Sequence, residues 1–302
     1  MKRQPGSVGP GPIPEAVLRS LDLTVRRRLE GFVPGDQRTP AVGAGTELAQ
    51  IRTYREGDDV RQIDWNATAR TGEPQVRVHV AERSVTTWLV LDASASMAFG
   101  TADRLKVDVA EGVAAAIGRL ATRRGNRLGV VAFGQGGQRV LRPRQGRAGQ
   151  APLARLLSAS PPRAQRDGDT LASALTTVAS LAKSRSLVVV VSDFRGDRAW
   201  IGPLKQLGAR HGVLALEVRD PREQELPDVG NVVLTDPESG RQLRVDTRSR
   251  ALRDNFAAEA ARERAEVAAE LRRCRAEHAV LTTQGEWFRS LARFLGGPRG
   301  RA

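Results

Sequence analysis

Asp92, Ser94 and Ser96 lie at alternate positions in the stretch Leu89 to Met97, immediately after the apolar run Trp88-Leu89-Val90-Leu91. One carboxylate and two hydroxyls delivered at the end of a buried strand can surround a hard divalent cation. With no His or Cys nearby, an all-oxygen donor set suits Mg²⁺ or Mn²⁺ rather than zinc. Two later positions carry matching chemistry. Thr170 falls in Gly168-Asp169-Thr170 at an expected helix start, and Asp193 follows the apolar run Leu187 to Val191 through Ser192.

The elements that must position these groups follow from periodicity. Val85–Leu91, Leu128–Phe133, Leu187–Val191 and Gly212–Val218 are short apolar runs, several of them rich in β-branched residues, and read as buried strands. Between them, helical spacing appears over Asp103–Thr122 (Leu105, Val109, Val113, Ile117, Leu120), Ala151–Ser158, Thr170–Ala182 and Ile201–Ala209. Asn231–Leu234 and Gln242–Val245, joined by Asp236-Pro-Glu-Ser-Gly240, read as a hairpin. An Arg/Glu/Ala-rich helix over Ser249–Ala276, a strand at Ala279–Thr282 and a helix at Trp287–Leu295 complete the pattern. Upstream, Glu15–Leu29 has the spacing of a short helix and 31–45 is rich in Gly and Pro. Residues 46–80 mix strand-like pieces with charged turns, as a small β subdomain or an extension of the main sheet. Strands alternating with helices imply an α/β fold, a mostly parallel sheet covered on both faces, with ligands at the carboxyl ends of strands.

Composition narrows the partner classes. The chain has 302 residues, 40% of them hydrophobic, and a formal net charge of +14. That charge invites nucleic-acid binding, but Lys occurs only at positions 2, 106, 183 and 205 and the Arg residues are spread along the whole chain. The densest basic runs, Arg123-Arg124 and Arg139–Arg147, carry no interleaved aromatic residues to stack on bases. Solvated basic faces account for the charge without a nucleic-acid ligand. No apolar run is long enough for a membrane span, the first 14 residues lack the apolar segment of a signal peptide, and the single Cys274 fits a reducing compartment. A cytoplasmic protein is expected.

The order Asp92-x-Ser94-x-Ser96, Thr170, Asp193 resembles the metal-ion-dependent adhesion site of von Willebrand factor A domains. The resemblance implies that Asp92, Ser94, Ser96 and Thr170 surround Mg²⁺ or Mn²⁺, that Asp193 supports the site, and that one coordination position stays open to an acidic group of a partner. The segment before it narrows the family. Arg52-Thr-Tyr54-Arg-Glu-Gly57-Asp58-Asp59-Val-Arg61-Gln-Ile-Asp64-Trp65, with Ala69-Arg70 and Glu82-Arg83, resembles the signature of the DUF58 family. Members carry it upstream of a von Willebrand A-like domain and are commonly encoded beside MoxR-type AAA+ ATPases. The resemblance implies a Rossmann-like sheet over 84–296 with a hairpin insertion at 229–246. It also implies an N-terminal β-rich extension over 15–83; the Gly/Pro-rich residues 1–14 read as a disordered leader and 297–302 as a tail. A MoxR-type ATPase and a client protein are the implied partners.

Other readings of the same residues compete. Gly57, Asp58 and Asp59 among Arg52, Arg55, Arg61 and Arg70 read as a structural ion-pair network, Trp65 as a core or inter-domain anchor, and His211 and His278 as structural. Arg272, Arg273 and Arg275 around Cys274 would lower its thiol pKa. A haloacid-dehalogenase-type nucleophile would need Asp where Ser94 stands. Neither Ser94 nor Ser96 is flanked as in Gly-x-Ser-x-Gly, and no Walker A loop occurs. A non-enzymatic interaction module is therefore expected, with metal-assisted hydrolysis at Asp92 and Asp193 as the enzyme alternative.

Overall fold

The computed structural model describes residues 9–11, 47–80, 85–122, 126–134, 137–158, 170–235 and 240–296. The expected helix at Glu15–Leu29, the Gly/Pro-rich stretch 31–45 and Arg123-Arg124 lie outside the described residues. The chain divides into two compact units, one of Val33–Ser84 and one of Met1–Phe32 with Val85–Ala302. No helix among the described residues is long and apolar enough to cross a membrane.

In the smaller unit, β1 (Glu47–Thr53) pairs antiparallel with β2 (Gln75–Val80), and between them lie a 3-10 turn (Val60–Gln62) and α1 (Trp65–Thr71). The signature residues build these turns. Arg52 clasps Asp58 through two hydrogen bonds of 2.8 and 2.7 Å, and Asp58 also accepts from Arg55 N–H. Asp59 caps the 3-10 turn through Arg61 N–H. Asp64 caps α1 by accepting from Asn66 and Ala67 N–H, and pairs with Arg77 at 2.9 Å. Gly57, at φ +99°, supplies a left-handed turn that a side chain would strain. Tyr54 hydrogen-bonds Pro74 O through its backbone, and the Arg70 guanidinium reaches Asn66 O within α1. Trp65 corrects the expectation of a core anchor. It is 71% exposed because it opens α1 on the outer side, while Ala67 takes the buried position.

In the larger unit, the six-stranded sheet has the order β10-β7-β6-β3-β4-β5. It comprises β3 (Thr86–Ala93), β4 (Arg127–Gly134), β5 (Arg139–Gln145), β6 (Leu187–Ser192), β7 (Gly212–Arg219) and β10 (Ala276–Thr282). All neighbours pair in parallel except β4 with β5. Residues alternate between two apolar layers, as a sheet buried on both faces requires. Leu89, Leu91, Val189, Val191, Leu214 and Leu216 face α2 (Lys106–Ala121), α3 (Gly146–Ser158) and α7 (Trp287–Gly296). Trp88, Val90, Val188, Val190, Val213 and Ala215 face α4 (Leu171–Leu181), α5 (Ile201–Arg210) and α6 (Arg250–Arg273). Most of the basic run at 139–147 becomes the edge strand β5, whose Arg residues and Pro143 protect it from further pairing, while Arg147 lies in the first turn of the helix Gly146–Ser158. The expected hairpin forms as β8 (Asn231–Thr235) and β9 (Gln242–Asp246).

Within the same unit, Pro10, from the stretch read as a leader, is held in place. Its carbonyl accepts from Trp287 Nε1 at 2.9 Å and from Arg104 at 3.2 Å. On α6, Arg250–Asp254, Arg262–Glu259 and Arg273–Glu270 pair along the outer face while Val267 and Leu271 are buried.

Candidate functional site

The sheet grows outward from β3, to β4 on one side and β6 on the other, so the crevice between β3 and β6 is the switch point where open α/β sheets hold ligands. The parallel register, Leu91 beside Val191, carries Asp92 level with Ser192 and brings Asp193 to the same edge. Ser192 Oγ donates to Asp92 Oδ2 at 2.5 Å, and Ser94 N–H donates to Asp92 Oδ1 at 2.9 Å. After Asp92 the chain enters a short 3-10 turn, Ala95–Ala98. Ser94 precedes that turn without capping it; its hydroxyl instead meets Ser96 Oγ at 3.0 Å. Gly134, ending β4 at φ +110°, makes this packing possible, because a Cβ there would lie 2.4 Å from Ser94 N.

Asp193 enters through a tight turn. Phe194 is buried at φ +53°, a conformation uncommon for a bulky residue, held by its N–H to Ser192 Oγ and by edge-on packing on Trp200 at 5.4 Å. The turn leaves Asp193 Oδ1 to accept from Arg195 N–H at 3.2 Å, while Oδ2 receives Lys106 Nζ at 2.7 Å. Lys106 also donates to Glu223 Oε1 at 2.7 Å. The loop from the 3-10 turn to α2 is tied down by Asp220, which follows β7 and accepts from Thr101 N–H, Thr101 Oγ1 and Thr283 Oγ1.

The two carboxylates differ in electrostatic state. Burial and then the charge of neighbouring Asp193 push Asp92 up to about 6, against hydrogen bonds from Ser192 and Ser94. Burial also pushes Asp193 up, but the Lys106 ammonium and the hydrogen bonds from Lys106, Ser96 and Arg195 outweigh it and hold Asp193 below the ordinary carboxylate value. Among the described residues, no cation pairs with Asp92. A mobile cation beside Asp92 would relieve its burial.

Four of the five expected site residues, Asp92, Ser94, Ser96 and Asp193, thus converge. Thr170 is described but exposed; its hydroxyl accepts from Ser173 N–H at 3.3 Å as the cap of α4. Among the described residues it makes no hydrogen bond to the cluster, although a hydroxyl with one accepted bond keeps a donor and a lone pair to spare. No group of three or more His, Cys, Asp or Glu side chains is placed to hold a metal among the described residues, so an ion here would depend on the serine hydroxyls. Ser192, Lys106 and Glu223 were missed from the sequence. Ser192 adjoins Asp193, but Lys106 and Glu223 reach it only through the fold.

The matched family model, "Protein of unknown function DUF58", covers residues 50–266. The chain belongs to the DUF58 family. It is 43% identical over 286 residues to uncharacterized proteins of Mycobacterium bovis and Mycobacterium tuberculosis, covering 94% of this chain and 89% of theirs. The chain is also similar to the structure of BatB from Bacteroides thetaiotaomicron, at TM-score 0.45 and 14% identity, covering 70% of this chain and 97% of that one. A von Willebrand factor type A structure from Catenulispora acidiphila gives TM-score 0.40 and 11% identity, covering 72% and 43%. These likenesses say nothing of the site.

Two other residues are decided by their surroundings. Burial and then the charge of Glu270 push the Cys274 thiol up rather than down, against the charge of Lys205; its Sγ contacts Ile201 O at 3.6 Å. His278 pairs with Glu217 at 2.8 Å, and His211 Nδ1 accepts from Ser186 N–H, both as structural partners of the sheet.

Proposed function

We propose that this DUF58 protein is a non-catalytic interaction module whose strand-end crevice takes Mg²⁺ or Mn²⁺. Asp92, Ser94 and Ser96 would hold the ion, with Thr170 and Asp193 in support. The ion would supply an electrophilic position to which an acidic side chain of a protein partner can bind. The observation that carries this reading is Asp92 itself: a buried carboxylate without a cationic partner among the described residues, facing two converging hydroxyls at the switch point of the sheet. Oxygen donors of this kind suit a hard cation and exclude soft ones. By family resemblance the partner is a MoxR-type AAA+ ATPase, for which this chain would act as an adaptor toward a client.

The test is capture of the ATPase by the full chain in Mg²⁺ and in EDTA, with wild type and Asp92→Ala. Capture should require Mg²⁺ and be lost in the variant. Capture that persists in EDTA or in Asp92→Ala would remove the metal bridge from the mechanism. Phosphoester turnover by wild type, abolished in the same variant, would favour a hydrolase.

A further inference from the structure

Lys106 has no solvent contact: its relative exposure is 0%, and its ammonium reaches carboxylates from two other elements, Asp193 after β6 and Glu223 in the 3-10 turn after β7. Both contacts are 2.7 Å. The second oxygen of Glu223 accepts from Asp220 N–H at 3.1 Å, so its carboxylate is fixed from both sides. The residue type is informative. Only four of the 48 Lys and Arg residues are Lys, yet the cation enclosed here is one of them. A compact ammonium on a narrow stem can serve two converging single contacts in a closed space, whereas a guanidinium is a planar fork.

We propose that Lys106 is a tethered cation of the strand-end site that sets its affinity for divalent ions. By pairing with Asp193 and Glu223, it leaves Asp92, Ser94 and Ser96 to take the mobile ion. The inference rests on the cation-site reading above and deepens it. Two consequences follow from Coulomb's law in a poorly screened site. Asp193 and Glu223 stay compensated without a divalent ion, and an arriving ion meets a fixed positive charge. Removing that charge frees Asp193 to attract the ion, while Glu223 keeps Arg195 at 3.5 Å, so affinity rises while the metal-free protein weakens.

Calorimetric titration of the full chain with Mn²⁺ and Mg²⁺, together with thermal melting in EDTA, tests this. Lys106→Gln should bind Mn²⁺ at least about tenfold more tightly than wild type, and gain more Tm on adding it. Lys106→Arg, which keeps the charge, should retain wild-type affinity with a lower Tm in EDTA. Because Lys106→Gln alone can fail to fold, the double variant Lys106→Met with Glu223→Gln removes one charge of each sign; it too should bind Mn²⁺ more tightly than wild type. Wild-type affinity in both neutral variants overturns the role of Lys106 while leaving the cation site standing. Absence of binding in wild type and in every variant overturns both.

Discussion

A buried carboxylate with no opposing charge among the described residues carries a cost, and that cost makes a prediction. Asp92 titrates near 6 in the fold, against an ordinary value of 3.8. Its folded value is raised, so the stability linked to its protonated form is present below the ordinary value and lost as pH rises through about 6. At neutral pH the ionised group therefore costs the metal-free protein up to about 3 kcal/mol. Asp92→Asn should raise the melting temperature in EDTA at neutral pH, with the gain shrinking on acidification, and should abolish any stabilisation by Mg²⁺. A lower Tm for Asp92→Asn in EDTA would mean that the charge is compensated in the metal-free state, contrary to the geometry. At this scale the sequence displayed the oxygen donors, because they cluster within a few residues of two obvious strand ends. It did not display Lys106 or Glu223, because the two carboxylates that Lys106 reaches, Asp193 and Glu223, lie 87 and 117 residues further along the chain. Their only trace is a lysine kept where the chain elsewhere prefers arginine.

One side chain ties together three of the elements around the crevice. Asp220 is fully buried and receives Thr101 N–H at 2.8 Å, Thr101 Oγ1 at 2.5 Å, Thr283 Oγ1 at 2.6 Å and Arg222 N–H at 2.9 Å. It thereby joins the loop before α2, the end of β7 and the end of β10, and sets the 3-10 turn that carries Glu223. Burial pushes Asp220 up, but these hydrogen bonds together hold it below its ordinary value of 3.8. A depressed folded value contributes stability above the ordinary one and loses it as pH falls through the folded value. Asp220→Ala should cost about 2–4 kcal/mol near neutrality by orphaning several donors, and the gap to wild type, followed by urea unfolding, should narrow below about pH 4. An unchanged midpoint would show the latch to be dispensable. The strands themselves were legible, because a parallel sheet buried on both faces writes them as unbroken apolar runs. β5 was not: as an edge strand it buries no residue fully, and Arg139, Arg142 and Arg144 among its few apolar residues make it read as a basic patch. The exposure of Trp65 was equally hidden, since a lone aromatic carries no periodicity to say which way its helix turns.

At the scale of the whole molecule, the question is whether an ion would act as a clasp or as a grip. Small metal domains unfold without their ion because the binding energy is their folding energy. The larger unit here has two apolar layers, on both faces of a six-stranded sheet, and neither involves Asp92, Ser94 or Ser96. Lys106 already compensates Asp193 and Glu223. Removing divalent ions should therefore leave the fold intact. A ligand at a hundred times its dissociation constant adds about 2.7 kcal/mol, and in a domain of this size each kcal/mol moves Tm by roughly 2–4 °C. EDTA should accordingly lower Tm by no more than about 10 °C while far-UV circular dichroism stays unchanged. Loss of helical signal on chelation would instead make the ion a structural clasp and would remove the reason for an open coordination position. If the fold survives and capture of an acidic partner does not, the ion serves to grip the partner and is not needed to hold the fold together.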